Sequence, residues 1–591
     1  MHLQKIINHF ITWQVRKIKP HQLILILSLV IGLLSGFAAV ILKNTVHYTF
    51  YFITRGFQFE KENFLYLALP LIGIFLTVLF VKYFIKKDIG HGVSRILYAI
   101  SKKNGILEPH NTYSSMIGST LTIAFGGSVG LESPIVLTGS AIGSNLGRLF
   151  HLNHKTLIVL IGCGAAGAIA GIFKSPIAAV VFAIEVLMID LTLSTMIPLL
   201  ISSVSGATIA YFLSGRSVLF SFELIDPFFL KHIPAFIILG IFTGLVSVYF
   251  TRMTMFIESM FGKAKNTYKK LVFGGIILGI LIFVFPSLFG EGYEILQEVL
   301  NSRGEDLINE GLFYSLKDKT WFLLLIIFLI LVFKAVATAV TTGSGGVGGV
   351  FAPSLFMGGL AGFFAAKILN LLPFVEVSES NFALVGMAGM MSGVMHAPLT
   401  GIFLIAEITG GYELLTPLII TATISYLTIK YFEPHSIYAK RLAQRGELLT
   451  HHKDKAMLSL MKVDKLIETN FNAVNLEDTL GDFVKIVAKS QRNVFPVIDE
   501  ENNFFGVIFI NDIRNIIFNR ELYETTYMRD LMYMPDILVD PGESMEDVAK
   551  KFSESGHFNL PVIKDGKYKG FVSRAMVFST YRKLLKEFSD D

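Results

Sequence analysis

Long apolar runs separated by short polar breaks dominate the first three-quarters of the chain. Leu23–Leu42, Phe64–Phe84, Leu193–Leu213, Ile233–Phe250, Leu271–Phe289 and Trp321–Thr341 each supply about the 20 apolar residues that a membrane-spanning helix needs. Four other stretches, Tyr113–Gly147, Leu157–Met188, Phe351–Leu372 and Phe382–Ile408, are equally apolar but repeatedly interrupted by Gly, Ser and Pro. Irregular backbone survives at membrane depth only where protein buries it or a cavity hydrates it. Interrupted helices of this kind are where transporters build substrate sites.

The interrupted stretches repeat. Gly130-Leu-Glu-Ser-Pro134, with Gly139 and Gly143 after it, matches Gly349-Val-Phe-Ala-Pro353, with Gly358 and Gly362 after it, at an offset of 219. Gly171-Ile-Phe-Lys-Ser-Pro176 and Glu185 match Gly393-Val-Met-His-Ala-Pro398 and Glu407 at an offset of 222. This predicts a duplicated core, with halves at about 22–215 and 233–431 and a site where they meet. Whether one half is inverted relative to the other is not legible at this level.

Beyond Tyr431 the pattern changes. Residues 436–460 read as a polar, basic juxtamembrane linker, and 461–591 as a soluble α/β region of short apolar strands and amphipathic helices. That region is also duplicated, at about 461–520 and 526–587. Val463-Asp-Lys-Leu-Ile467, Phe495-Pro-Val-Ile498 and Gly506-Val-Ile508 return as Met528-Arg-Asp-Leu-Met532, Leu560-Pro-Val-Ile563 and Gly570-Phe-Val572.

Composition adds limits. Of 591 residues, 52% are hydrophobic and 16% charged, against about 25% charged in an average soluble domain, so lipid must solvate much of the surface. The net charge of +5 comes with no block of like charge suited to nucleic acid. A lone Cys163 excludes an internal disulfide and argues against a thiolate metal site; no metal is expected. Lys5, Arg16, Lys17 and Lys19 crowd the first span, which predicts a cytoplasmic N-terminus.

Three Gly-containing turns stand before apolar helical stretches: Gly90-His-Gly-Val-Ser94, Gly130-Leu-Glu-Ser-Pro134 and Gly349-Val-Phe-Ala-Pro353. The first N–H groups of a helix have no internal acceptor, and the macrodipole puts about half a positive charge there, enough to hold an anion that can also leave. Gly and Pro also serve tight helix packing, but three such turns, two of them repeat-related, favour anion capture. Glu132 and Glu185 are the only acids between Tyr113 and Val186. At a helix N-terminus an ionised Glu132 would take the seat of an anion, and protonation would release it; the plainer alternative is a helix cap. Glu185 and Glu407, at matching places of the repeat, suggest packing.

With these residues in view, the chain resembles the CLC family of chloride channels and proton-coupled antiporters. Gly-Leu-Glu-Ser-Pro and Gly-Val-Phe-Ala-Pro resemble its second and third anion-site signatures, and Pro434-His-Ser-Ile-Tyr438 the segment with its pore tyrosine. The resemblance spans about 20–445, and the tail resembles the CBS pair found on many members. It implies an all-α polytopic membrane protein built from two inverted repeats with broken helices over residues 1–435, plus a cytoplasmic α/β CBS pair. It also implies a homodimer, multi-pass in the plasma (inner) membrane, carrying chloride or a related anion with or without protons. Glu132 would be the gate; Gly90, His91, Gly92 and Gly130 would line the anion path; the Val350 and Phe351 amides with the Tyr438 hydroxyl would hold the central anion. Read alone, Tyr438 is a membrane-interface anchor.

Three departures matter. His91 stands where the family usually has a serine, and an imidazole either donates an N–H or turns aside. Leu131 replaces the usual arginine before the gate. Val186 stands where many exchangers keep an inner proton-carrying glutamate, which leans toward a channel or an atypical exchanger. In the CBS pair the ribose-contacting Ser/Thr and Asp are split, with Asp512 in the first repeat and Ser573 in the second. Adenine-nucleotide binding and a structural dimerisation role both stay open, and no cofactor is required. The competing class is a CBS-containing cation carrier of the magnesium type. Hard cations want carboxylate clusters, and Trp321 to Leu372 holds no acid. An enzyme is not expected: no nucleophile–base pair stands in the broken helices, and Gly343-Ser-Gly-Gly-Val-Gly348 follows a long helix, not a strand.

Overall fold

A computed structural model describes residues 19–54, 64–87, 89–90, 92–215, 228–264, 266–301, 320–373, 375–410, 412–443, 458 and 461–589. Lys5, Arg16, Lys17, His91 and most of the expected linker lie outside the described residues. The chain divides into two compact units, Met1–Leu448 and Leu449–Asp591.

The first unit is helical. Among the described residues, nine helices are long and apolar enough to cross a membrane. The uninterrupted runs become Pro20–Thr54, Leu65–Leu79 (continued by a π turn, Phe80–Ile85), Leu193–Ser214, Ile233–Lys263, Thr267–Val284 and Thr320–Gly343. Leu415–Phe432 forms a further span that hydropathy alone understates, because hydroxyls punctuate it. Those hydroxyls bond to backbone: Thr421 to the Phe236 carbonyl at 3.0 Å, Ser425 to that of Gly389 at 2.7 Å, and Thr428 to that of Ile424 at 2.8 Å. The Leu415–Phe432 helix is thereby pinned to two neighbours without stranded polar groups.

The interrupted stretches resolve into helix pairs with bent junctions. Tyr113–Gly147 becomes helices Ser114–Ala124 and Glu132–Leu149, and Leu157–Met188 becomes His154–Phe173 and Pro176–Glu185. In the second half the counterparts are Phe351–Leu369, Glu379–Met395 and Pro398–Ile408. Both junctions after the long helices turn through a left-handed residue at corresponding places, Lys174 (φ 58°) and His396 (φ 56°). Each is followed by a Pro at the first or second position of the next helix, whose missing N–H costs nothing there.

Small residues let neighbouring helices within each half touch backbone to backbone, at corresponding places of the repeat. A Cβ on Gly358 would sit 2.6 Å from the Gly386 carbonyl oxygen, and the corresponding Gly139 faces the carbonyl of Gly164 with no room at all. The packing reading therefore holds for Gly139, Gly143, Gly358 and Gly362.

Glu185 and Glu407 relate the halves directly. The Glu407 carboxylate accepts the amides of Ile177 (3.1 Å) and Ala178 (2.8 Å) at the start of Pro176–Glu185. Glu185 accepts those of Leu399 (3.1 Å) and Thr400 (2.8 Å) at the start of Pro398–Ile408. A glutamate in the last turn of each helix caps the first turn of the other, so the two helices run antiparallel. A two-fold axis that exchanges them must cross their direction, and the halves are inverted.

The second unit holds two antiparallel strand pairs, Val494–Ile498 with Phe504–Phe509 and Asn559–Lys564 with Lys567–Ser573. Both carry a bulge at the same place, between Val497 and Ile498 and between Val562 and Ile563. Each repeat lends its leading segment to the other: Glu468 exchanges both backbone hydrogen bonds with Phe571, and Tyr533 with Val507. Phe471, Val494, Val507 and Phe571 form a shared apolar core between the repeats.

Candidate anion pathway

The three Gly-containing turns converge. Gly130 and Gly349 donate to each other's carbonyls at 2.9 and 2.8 Å, an isolated antiparallel bridge between the two broken-helix junctions. Ser133 fills the space beside both Gly349 and Gly92: a Cβ on Gly349 would lie 2.5 Å from the Ser133 Cβ, and one on Gly92 would lie 2.6 Å from its hydroxyl. The Ser133 hydroxyl accepts the Val93 amide at 3.3 Å. Gly therefore stands at these positions because backbone, not side chain, must fit there. Helices Gly92–Lys102, Glu132–Leu149 and Phe351–Leu369 all begin at this meeting point.

Glu132 is the first residue of its helix and is 1% exposed. Its carboxylate lies against its own amide and that of Ala352, in the first turn of the Phe351–Leu369 helix. Oε1 accepts the hydroxyl of Tyr293, whereas Oε2 is buried without a hydrogen bond of ordinary geometry. A carboxyl group thus rests on two helix N-termini at once, where its ionised form would be held by their partial positive charge. Val350 caps the second helix and Phe351 opens it, its ring stacked on Phe173 at 5.2 Å.

Tyr438 is buried at 2% exposure, which corrects the interface-anchor reading. Its hydroxyl has no hydrogen-bond partner among the described residues and lies within electrostatic range of the Glu132 carboxyl group. Three contacts position the short Ile437–Ala443 helix. Ser94 donates to the Tyr438 carbonyl at 3.1 Å, and Arg441 grips Glu258 with two bonds of 2.6 and 3.1 Å. Buried Glu433 takes Arg252 at 2.7 Å and also Lys440.

His91 lies outside the described residues, between Gly90, which takes φ 63°, and Gly92. Val186, buried, follows the last residue of the Pro176–Glu185 helix. Leu131 turns out to be served by an acid: its amide donates to Glu291 at 3.0 Å. Lys334, wholly buried in the Thr320–Gly343 span, donates to the Gly290 carbonyl at 3.1 Å and lies 4.7 Å over the Phe356 ring. The reading from sequence missed Glu291, Tyr293 and Lys334. A lysine in the middle of a span and an acid between two glycines were the available signals; nothing marked Tyr293.

In the second unit, Asp512 is exposed in the short Ile510–Ile513 helix. The Ser573 hydroxyl donates to Glu468 and accepts the Met576 amide at 3.1 Å. Glu468 also pairs with Arg492 at 2.7 Å. Phe509, where the family pattern has a hydroxyl, stacks on both Tyr533 (5.8 Å) and His557 (5.7 Å). Among the described residues no three His, Cys, Asp or Glu gather into a metal-binding group, so the cation-carrier alternative gains no site.

Comparison with known proteins agrees with this geometry. The chain is 27% identical over 453 residues to the H(+)/Cl(-) exchange transporter ClcA of Vibrio cholerae, covering 74% of this chain and 92% of the relative. The structure of a slow cyanobacterial Cl-/H+ antiporter aligns with a TM-score of 0.62 at 23% identity, covering 73% of this chain and 99% of that one. A CLC-type fluoride/proton antiporter aligns with a TM-score of 0.59 at 23% identity, covering 71% and 98%. Residues 463–519 and 528–582 each match the CBS domain. Residues 72–430, more than half of the chain, match the voltage gated chloride channel family, and the chain is a multi-pass membrane protein belonging to it.

Proposed function

We propose that this protein moves chloride or a similar small anion across a membrane along a pathway gated by Glu132. The observation that carries the reading is the Glu132 carboxyl group resting on the joined N-termini of Glu132–Leu149 and Phe351–Leu369, within electrostatic range of a Tyr438 hydroxyl that has no hydrogen-bond partner among the described residues. An anion wants that same seat: partial positive charge from backbone and a hydroxyl donor, which hold it without trapping it. Protonation would remove the carboxylate's attraction for the helix ends and vacate the seat. Gly90, Gly92 and Gly130 would let backbone approach the ion, the Val350 and Phe351 amides would bind it, and His91 would donate an N–H from the first turn.

Val186 favours a channel, or an exchanger whose inner proton route uses water or another residue, because valine carries no proton. The assembly would be a homodimer in the inner membrane, with the transport domain at 1–435 and the N-terminus and CBS pair (461–591) in the cytoplasm. Nucleotide control through the CBS pair would use the exposed Asp512 carboxylate for the ribose hydroxyls and would require Ser573 to leave Glu468. Reconstitution into liposomes under a chloride gradient, with external pH recorded at clamped potential, tests the reading. Chloride flux is expected; its absence would refute it, and uphill proton movement would identify an exchanger despite Val186.

A further inference from the structure

Glu291, in a turn that no motif marks, and Tyr293, the first residue of the Tyr293–Leu300 helix that follows, reach Leu131 and Glu132. Gly290 (φ 58°) and Gly292 (φ 86°) both take left-handed backbone, so the chain folds sharply around Glu291 and presents both side chains to one place. Glu291 accepts the amide of Leu131, the residue before the gate, at 3.0 Å, and Tyr293 donates its hydroxyl to the Glu132 carboxylate. The loop is itself anchored: the buried Lys334 ammonium donates to the Gly290 carbonyl at 3.1 Å. A Cβ on Gly292 would press within 2.5 Å of the Phe356 ring, over which that same ammonium lies.

We propose that residues 290–293 form a clamp on the gate, in which Tyr293 is the positioning residue that keeps the Glu132 carboxylate in the anion seat. This rests on the gating role of Glu132 given above. A hydroxyl donor stabilises a carboxylate more than a carboxylic acid, because the charge-assisted bond is the stronger, so Tyr293 favours the seated, charged form. Among the described residues, the charged and titratable groups that act on Glu132 are Glu291, Tyr293 and Tyr438, with Lys334 and Lys43 within electrostatic range of Glu291. Glu291 opposes the charge of Glu132, and the lysines offset it. Tyr293 is the one of these groups with a direct hydrogen bond to the gate.

Tyr293→Phe keeps the ring and removes the donor. A hydrogen bond to a charged group, once lost, should move the pH of half-maximal chloride flux in liposomes upward by about one unit. The same substitution in a Glu132→Gln background should leave the pH profile unmoved. Fluorotyrosine incorporated at position 293 retains the hydroxyl and makes it a stronger donor, so it should move the midpoint to lower pH. Two results would overturn the clamp: unchanged midpoints for both Tyr293 variants, or a shift that persists without the Glu132 carboxylate. If Glu132→Gln alone leaves the pH profile of the native protein intact, the gating role itself fails, which is a separate outcome.

Discussion

Gly130 and Gly349 exchange both of their backbone hydrogen bonds, at 2.9 and 2.8 Å, although 219 residues separate them. This two-bond bridge joins the starts of two repeat-related helices and sets the spacing between them. It leaves no volume for a side chain: a Cβ on Gly130 would lie 2.8 Å from that of Ala352 and would collide with the Glu132 carboxylate. Gly130→Ala is expected to cost about 1–3 kcal/mol from overpacking. It should also displace the gate, so that proton dependence of flux weakens along with thermal stability. Flux against pH and melting temperature in detergent, measured on the same preparation, check both.

Removing the carboxylate altogether separates gate from seat. Glu132→Ala empties the two helix N-termini without disturbing Gly130 or Gly349, so chloride flux should persist, lose its dependence on pH, and move no protons. A variant that still drove protons against their gradient would remove Glu132 from the mechanism.

Tyr438→Phe removes a buried hydroxyl that has no hydrogen-bond partner among the described residues, so folding should be unaffected. A donor to a bound anion is worth about 1.5–3 kcal/mol, and its loss should weaken chloride binding roughly tenfold or more. Calorimetric titration of the purified protein with chloride reads this. Equal affinity in the two proteins would take the hydroxyl out of the site.

Glu185 and Glu407 are caps, not gates. Each accepts two backbone amides of the opposite helix, and Glu185 also accepts the Thr400 hydroxyl at 2.7 Å. Glu407→Ala should lower stability by about 1–3 kcal/mol through stranded donors, with unitary anion transport unchanged. Glu185→Ala should cost at least as much, since it frees three donors instead of two. Urea or thermal unfolding followed by tryptophan fluorescence ranks the pair.

The CBS pair makes its own test. If adenine nucleotide binds the full-length protein, Asp512→Ala should weaken it by about tenfold, the usual worth of a charged hydrogen bond. The exposed position of Asp512 means its loss should leave the unit folded. Binding of ATP or AMP is read by titration; identical affinity in the variant would take Asp512 out of the site, and no binding to either protein would assign the pair to assembly.

Much of this molecule was written in one dimension. Apolar runs near 20 residues foretold the spans, Gly and Pro foretold the breaks, and offsets of 219 and 222 foretold the duplication. Glu132 stood out because a carboxylate in an apolar, Gly-rich stretch is costly to bury, although a helix cap stayed open as the plainer reading. These features are legible because local composition alone decides whether a segment tolerates lipid or continues as a helix. Leu415–Phe432 escaped because its hydroxyls look polar until their carbonyl acceptors, on helices far away in the chain, are known. The inversion of the halves and the clamp on the gate belong only to the folded chain. Both depend on which residues meet across about 160 or more positions: Glu407 with Ala178, Glu291 with Leu131, Tyr293 with Glu132. Periodicity records the face a residue presents, and not its partner, because partners are chosen by the packing of whole helices.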